Sequence, residues 1–213
     1  MSWKLVIDIG HTAVMLPLVA AITAWLLAGR AWKLALCWCV MFAAGLSVVA
    51  LSKIAYLGWH AGIPSLEFKA LSGHALRATA VLPVLFFIVL HGASRSWRTA
   101  GVVVGICASA ALGILLVHFR FHSASEVIPS FVLGMLVSLG FMRVSRTLPA
   151  PSMNRWTVPA SVLVFVAVFY LKPSLVSHRL ADVAVYVSGR DRPYEWSRKW
   201  PKKLVCEARA MNR

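Results

Sequence analysis

The sequence predicts an all-α membrane protein, a polytopic bundle of about six transmembrane helices. Three observations carry that reading. Of 213 residues, 60% are hydrophobic and only 14% charged, with a mean hydropathy of +0.76, whereas a soluble domain carries about 25% charged residues. Several apolar runs approach the roughly 20 residues that a helix needs to cross a bilayer. The runs do not alternate apolar and polar residues as barrel strands do, so the spans are helices.

The elements follow in order. Met1 to Gly10 is a polar-to-apolar lead with Lys4 and Asp8. The first span is expected at Thr12 to Ala28. It reads as retained, because no small-x-small site followed by polar sequence closes it. Arg30 and Lys33 form a basic turn ahead of the second span, Leu34 to Leu51. A loop from Lys53 to Gly73 holds Pro64, Glu67 and Lys69. The third span, His74 to Leu90, leads into a tight basic loop around Arg95 and Arg98. The fourth, Thr99 to Val117, is followed by the polar stretch His118 to Glu126, and the fifth is Val127 to Phe141. Arg143, Arg146 and Arg155 then lie in a Pro-containing loop without a carboxylate, before a sixth span, Val158 to Leu171, closed by Lys172-Pro173. Residues 1–172 make the membrane domain, and residues 173–213 a basic tail. In that tail Leu180 to Val187 is apolar enough to pack. Trp196 and Trp200, set among basic residues, read as a segment lying at the headgroups, with a solvated tail as the alternative.

The net charge is +15, from 22 Lys+Arg against 7 Asp+Glu. Basic residues flanking membrane spans account for this excess better than nucleic acid does, so no nucleic-acid partner is expected. The same charge suits a phosphate-bearing substrate. Three loops, around Arg30, Arg95 and Arg143, are basic and lack carboxylates, and alternation of the spans puts them on one side. The positive-inside rule makes that side cytoplasmic. The 53–73 and 118–126 loops then share the outer, periplasmic face of the plasma (inner) membrane, although the basic tail would be outside as well. Of the four cysteines, Cys37, Cys39 and Cys107 lie in apolar runs, and no C-x-x-C pair occurs. Neither a zinc ribbon nor a redox motif is indicated.

The two outer loops carry the residues able to do chemistry. Ser72 caps the third helix, and Gly73 opens its N-terminus to close approach. That terminus offers free N–H groups and a positive dipole end to an anion. His74 stands there, with Arg77 one turn on. The plain alternative is a helix start beside an interfacial histidine. His122 and Glu126 are spaced i, i+4, so the carboxylate can hold Nδ1 and leave Nε2 as nucleophile or base. Ser123-x-x-Glu126 is equally a capping box, which by itself explains the acid. Lys53 is either a snorkelling lysine or a phosphate ligand. Arg120, His118 and His60 are candidates of the same kind.

Taken together, these residues resemble the type-2 phosphatidic acid phosphatase superfamily of membrane lipid phosphatases. Its pattern is Lys, six residues, Arg-Pro; then Pro-Ser-Gly-His; then Ser-Arg, five residues, His, three residues, Asp. Lys53 matches the first lysine. Leu71-Ser72-Gly73-His74 matches the second part except its proline, and His122 with Glu126 matches the third with Glu for Asp. The resemblance covers roughly residues 50 to 140. It implies that His122 attacks phosphorus, Glu126 orients it and His74 protonates the leaving oxygen. Lys53, Ser72 and Gly73 would hold the phosphoryl oxygens, with no metal and no cofactor. Two arginines of the pattern are replaced, by His60 and by Leu116. Arg77 and Arg120 are the candidates to substitute for them from other positions.

The expected activity is hydrolysis of a lipid mono- or diphosphate, of the undecaprenyl carrier, phosphatidic acid, phosphatidylglycerol phosphate or lipid A type. The alternative is a non-catalytic lipid-phosphate binder or flippase-like relative. A single zinc site on His118, His122 and His74 is a further option by ligand spacing. A pure transporter is disfavoured, because the spans carry no buried acid pair. The sequence specifies neither the headgroup nor an oligomeric state.

Overall fold

The computed structural model describes residues 12–149, 151–152, 156–170 and 176–189. Among them are seven α-helices and one isolated backbone bridge, Ile63 to Phe68. We number the helices α1 (Thr12–Ala28), α2 (Trp32–Trp59), α3 (Gly73–Val89), α4 (Arg95–His118), α5 (Ala124–Val144), α6 (Thr157–Tyr170) and α7 (Val176–Ser188). Among the described residues α2, α4 and α5 are long and apolar enough to cross a membrane, and α1, α3 and α6 are shorter apolar helices. The fold is therefore an all-α, membrane-type bundle. The expectations for Met1 to Gly10, for Arg155, for Leu171 to Pro173 and for Trp196 and Trp200 fall outside the described residues.

Apolar side chains face outward as well as inward. Leu36, Val40, Leu51, Ile114, Leu136 and Leu163 are all more than half exposed, as lipid-facing positions are. Lipid removes most of the hydrophobic drive between helices, leaving close packing and interhelical hydrogen bonds to hold them. The small residues sit where this needs them. A Cβ on Gly105 would lie 2.8 Å from the Pro83 backbone, and one on Gly134 would lie 2.8 Å from the Leu76 carbonyl oxygen. Ser109 donates across the α3–α4 contact to the Ala78 carbonyl at 3.0 Å.

Helix α3 is the centre. It touches α1, α2, α4 and α5, and ten of its 17 residues are buried. It is lined with Ala75, Ala78, Thr79 and Ala80, which bring neighbouring backbones close. Around it Trp38 is fully buried against Phe42 and Phe141, with ring centroids 5.5 and 5.4 Å apart.

The largest boundary difference from the sequence reading is in the second helix. The second helix does not stop at Leu51 but runs on to Trp59 and ends at His60, which takes the left-handed conformation at φ 57°. No Pro interrupts Ile54 to Trp59, so intrahelical bonding continues. Lys53 consequently projects from a helix, and the loop begins at His60. In the tail, the apolar stretch Leu180 to Val187, expected to pack, lies in α7. It packs against the C-terminal end of α2, where Gly58 lets the Ala184 carbonyl and Ser188 approach.

Candidate active site

Three segments converge at one end of the bundle. The first is the last two turns of α2. Ser52 donates to the Val49 carbonyl at 2.8 Å and accepts the Leu71 N–H at 3.1 Å, which ties the incoming loop to α2. Lys53 follows, partly buried and within electrostatic reach of both Arg77 and Glu126.

The second segment is the N-terminus of α3. Ser72 is fully buried, and its Oγ accepts the Ala75 N–H at 3.4 Å as the helix cap, a contact worth about 1 kcal/mol. Its own N–H donates to Ser130 Oγ at 2.7 Å. Gly73 is buried as well. A Cβ there would stand 3.3 Å from Arg77 Nη1, so the bare backbone lets the guanidinium fold over the helix end. Arg77 Nε is buried with no hydrogen-bond partner among the described residues. An unmatched cationic donor beside a helix N-terminus is a place for an anion.

The third segment is the turn between α4 and α5. Arg120 takes the left-handed conformation at φ 56°. Phe121 N–H returns to the Leu116 carbonyl at 2.9 Å, and Arg120 N–H to Val117 at 3.0 Å. This is a Schellman turn, with arginine where glycine is usual. It delivers His122 to Ser123, the cap of α5. The Glu126 carboxylate then gathers three donors. His122 Nδ1 lies 2.7 Å from Oε2, the Ser123 N–H donates to the same oxygen at 3.4 Å, and the Lys69 N–H donates to Oε1 at 3.1 Å. Clamp and cap are thus one carboxylate doing both jobs, and it is 3% exposed. The Nδ1 contact leaves Nε2 as the remaining nitrogen of His122.

The rings of His74 and His122 lie 6.1 Å apart, centroid to centroid, and the His122 side chain keeps 10% exposure. A reacting atom sits about 3–3.5 Å from its nucleophile, and a general acid about 2.6–3.2 Å from the oxygen it protonates. The two imidazoles are therefore near neighbours on the same side of the cluster, within reach of one bound group. Burial pushes the Lys69 ammonium down from the ordinary lysine range, with Glu126 and Glu67 partly opposing.

His74, His122, Glu126, Lys53, Gly73 and Arg77 come together, with Ser72 beneath them as the cap. Arg120 and His118 are exposed, and no hydrogen bond or ion pair among the described residues joins either to the cluster. Of the two positions where the family pattern has arginine, His60 sits at the end of α2 with its ring against Tyr56. Leu116 is 2% exposed and packs with Ala75 and Val127. Among the described residues no three His, Cys, Asp or Glu side chains gather as a metal site. Sequence reasoning missed Ser130, which fastens Ser72 to α5, although its i+4 spacing from Glu126 places both on one helix face. It also missed the Lys69 main-chain N–H, for which a sequence gives no signal.

No protein-family profile matches the chain, and no solved structure does. A curated relative, described as an uncharacterized 22.5 kDa protein in cps region of Klebsiella pneumoniae, is 29% identical over 199 residues. The similarity spans 91% of this chain and 95% of that protein.

Proposed function

We propose that this protein is a metal-independent membrane lipid phosphatase that cleaves a lipid mono- or diphosphate through a phosphohistidine. The observation that carries the reading is His122, held through Nδ1 by a buried carboxylate, with the His74 ring 6.1 Å away. The His122 Nε2 lone pair forms the N–P bond. The P–O bond to the lipid or to the second phosphate breaks, its electron pair stays on the leaving oxygen, and His74 protonates that oxygen. A water then gives a proton to His74 and attacks phosphorus, the N–P bond breaks, and phosphate leaves. Lys53, Arg77 and the α3 N-terminus neutralise the three phosphoryl oxygens, the role that electrostatic preorganisation plays in such transfers. The substrates fitting this site are of the undecaprenyl, phosphatidic acid, phosphatidylglycerol phosphate or lipid A class. The site would face the periplasm from the inner membrane, because the arginine-rich loops occupy the opposite end of the bundle.

One observation favours the second reading, a non-catalytic lipid-phosphate binder. Leu116 makes an apolar contact where the family pattern supplies a phosphate-binding arginine. Loss of one such donor costs about 2.7–4 kcal/mol of transition-state stabilisation.

The test is phosphate release by the purified chain from a panel of lipid phosphates, in detergent with excess chelator, beside His122→Ala. Release that survives the chelator and falls on the order of 10⁴-fold or more in the variant is the expected result. A folded protein that retains a lipid phosphate yet releases nothing would leave the binder.

A further inference from the structure

At the end of the bundle opposite His122 lies a partly open cavity of about 750 Å³. It is framed by the end of α3, the start of α4, the end of α5 and the α1–α2 turn. Its polar rim is made by Arg95, Arg98, Arg143, Arg146 and His91. Its interior is apolar, from Leu26, Leu34, Phe87, Ile88 and Phe141. The Arg98 guanidinium lies 5.4 Å over the Phe87 ring, where the two zones join. Glu67, Glu126 and Asp182 are the acidic side chains among the described residues, and none lines the cavity. None of the rim arginines is ion-paired among those residues.

The depth of the rim in the membrane follows from two features. Trp32, Trp97 and Trp156 are 60–69% exposed, and each stands at the start of a helix that begins at this end. Tryptophan in such a position marks the membrane–water interface. His74 and His91 are also separated by one pass of α3 and its terminal turn, about 26 Å at 1.5 Å per residue, close to the thickness of a bilayer core. The rim therefore lies at headgroup depth in the leaflet opposite the His122 site, with the apolar interior beneath it.

We infer that this cavity is a binding site for an anionic phospholipid, with the phosphate on the arginine rim and an acyl chain in the apolar interior. Guanidinium groups bind phosphate through paired, charge-assisted hydrogen bonds. A basic pocket between transmembrane helices at headgroup depth is a general means of holding such lipids. Scattered snorkelling arginines would satisfy the same charge rule but would not enclose an apolar trough. The site contains no histidine–carboxylate pair among the described residues, so it binds lipid without cleaving it. This inference does not depend on the phosphatase reading.

The experiment titrates the purified full chain in neutral detergent with phosphatidylglycerol, following bound lipid by native mass spectrometry and the thermal midpoint in parallel. Phosphatidylcholine and inorganic phosphate are the comparison ligands. Arg143→Gln combined with Arg146→Gln should weaken phosphatidylglycerol retention about tenfold or more, as loss of charge-assisted contacts does. Lys33→Gln, at the same end but outside the cavity, should change it less than about twofold. Val102→Trp, which fills the cavity wall and leaves every arginine, should also release the lipid; Thr99→Phe replaces it if that variant unfolds. Equal retention of phosphatidylcholine would overturn the inference. So would equal protection by inorganic phosphate, or a loss in Lys33→Gln as large as in the rim variant.

Discussion

At the His122 end of the bundle one buried carboxylate receives three donors, and every segment that enters the site is fastened to another by a hydrogen bond. At the opposite end four arginines and a histidine ring a cavity with no carboxylate among the described residues. The first arrangement holds the His122 ring in one orientation, as the proposed phosphoryl transfer would need. The second concentrates charge without fixing it, which suits a ligand whose phosphate can be met by several rotamers. Basic residues are common to both ends; what separates them is the buried carboxylate of Glu126.

That contrast can be broken at Glu126 with the largest effect. Glu126→Ala removes the acceptor of the His122 Nδ1, Ser123 and Lys69 N–H groups at once, each buried donor costing about 1–3 kcal/mol when orphaned. Phosphate release should fall about 10³-fold or more and the thermal midpoint should drop, while phosphatidylglycerol retention at the basic end is unchanged. Glu126→Gln should recover much of the midpoint and little of the turnover, because its NH₂ group meets one of the donors and disturbs the tautomer of His122. Recovery of both would make Glu126 a cap and nothing more.

A substitution midway along the bundle should couple the two ends. Gly105→Val places a side chain against the Pro83 backbone and forces α3 from α4. It should cost about 1–3 kcal/mol and lower both phosphate release and lipid retention. A loss confined to one end would show that the ends are held independently.

Arg120 sharpens the comparison by a smaller amount. Arg120→Gly relieves the left-handed strain at φ 56°, and should stabilise the protein by roughly 0.5–1 kcal/mol in chemical unfolding. Turnover should be unaffected if the exposed guanidinium is outside the site, and a rise in KM would return it to the phosphate-binding group.

The smallest effect is a pH dependence from Lys69. Burial holds its ammonium below the ordinary lysine range, so between the folded and unfolded values the unfolded chain binds more protons. Stability should rise with pH across that window and level off above the unfolded value near 10.4. Lys69→Met should flatten that rise in thermal melts, while the Lys69 N–H still reaches Glu126.

Much of the candidate site is short-range, and for that reason legible. Ser72 as a cap, Ser123 and Glu126 as a capping pair, and His122 with Glu126 at i, i+4 all depend on contacts within four residues. The end of α2 was misplaced because Lys53 reads as an interface residue, whereas the apolar run beyond it continues the helix to Trp59. Leu116 was legible as a missing arginine, but not as a packed apolar wall between Ala75 and Val127.

The sequence by itself determined the class of the protein. An excess of apolar residues in uninterrupted runs leaves helices as the way to satisfy the backbone in lipid. It also determined which residues could cap a helix and clamp a histidine, because those roles follow from spacing along one helix. Tertiary structure alone decided that the rings of His74 and His122, 48 positions apart, lie 6.1 Å from each other. It alone brought the Lys69 N–H to Glu126 and enclosed an apolar cavity within the basic loops. Those placements depend on how closely α3 approaches α4 and α5 through Gly105, Gly134 and Ser109, a matter of matched surfaces between helices that no local pattern encodes.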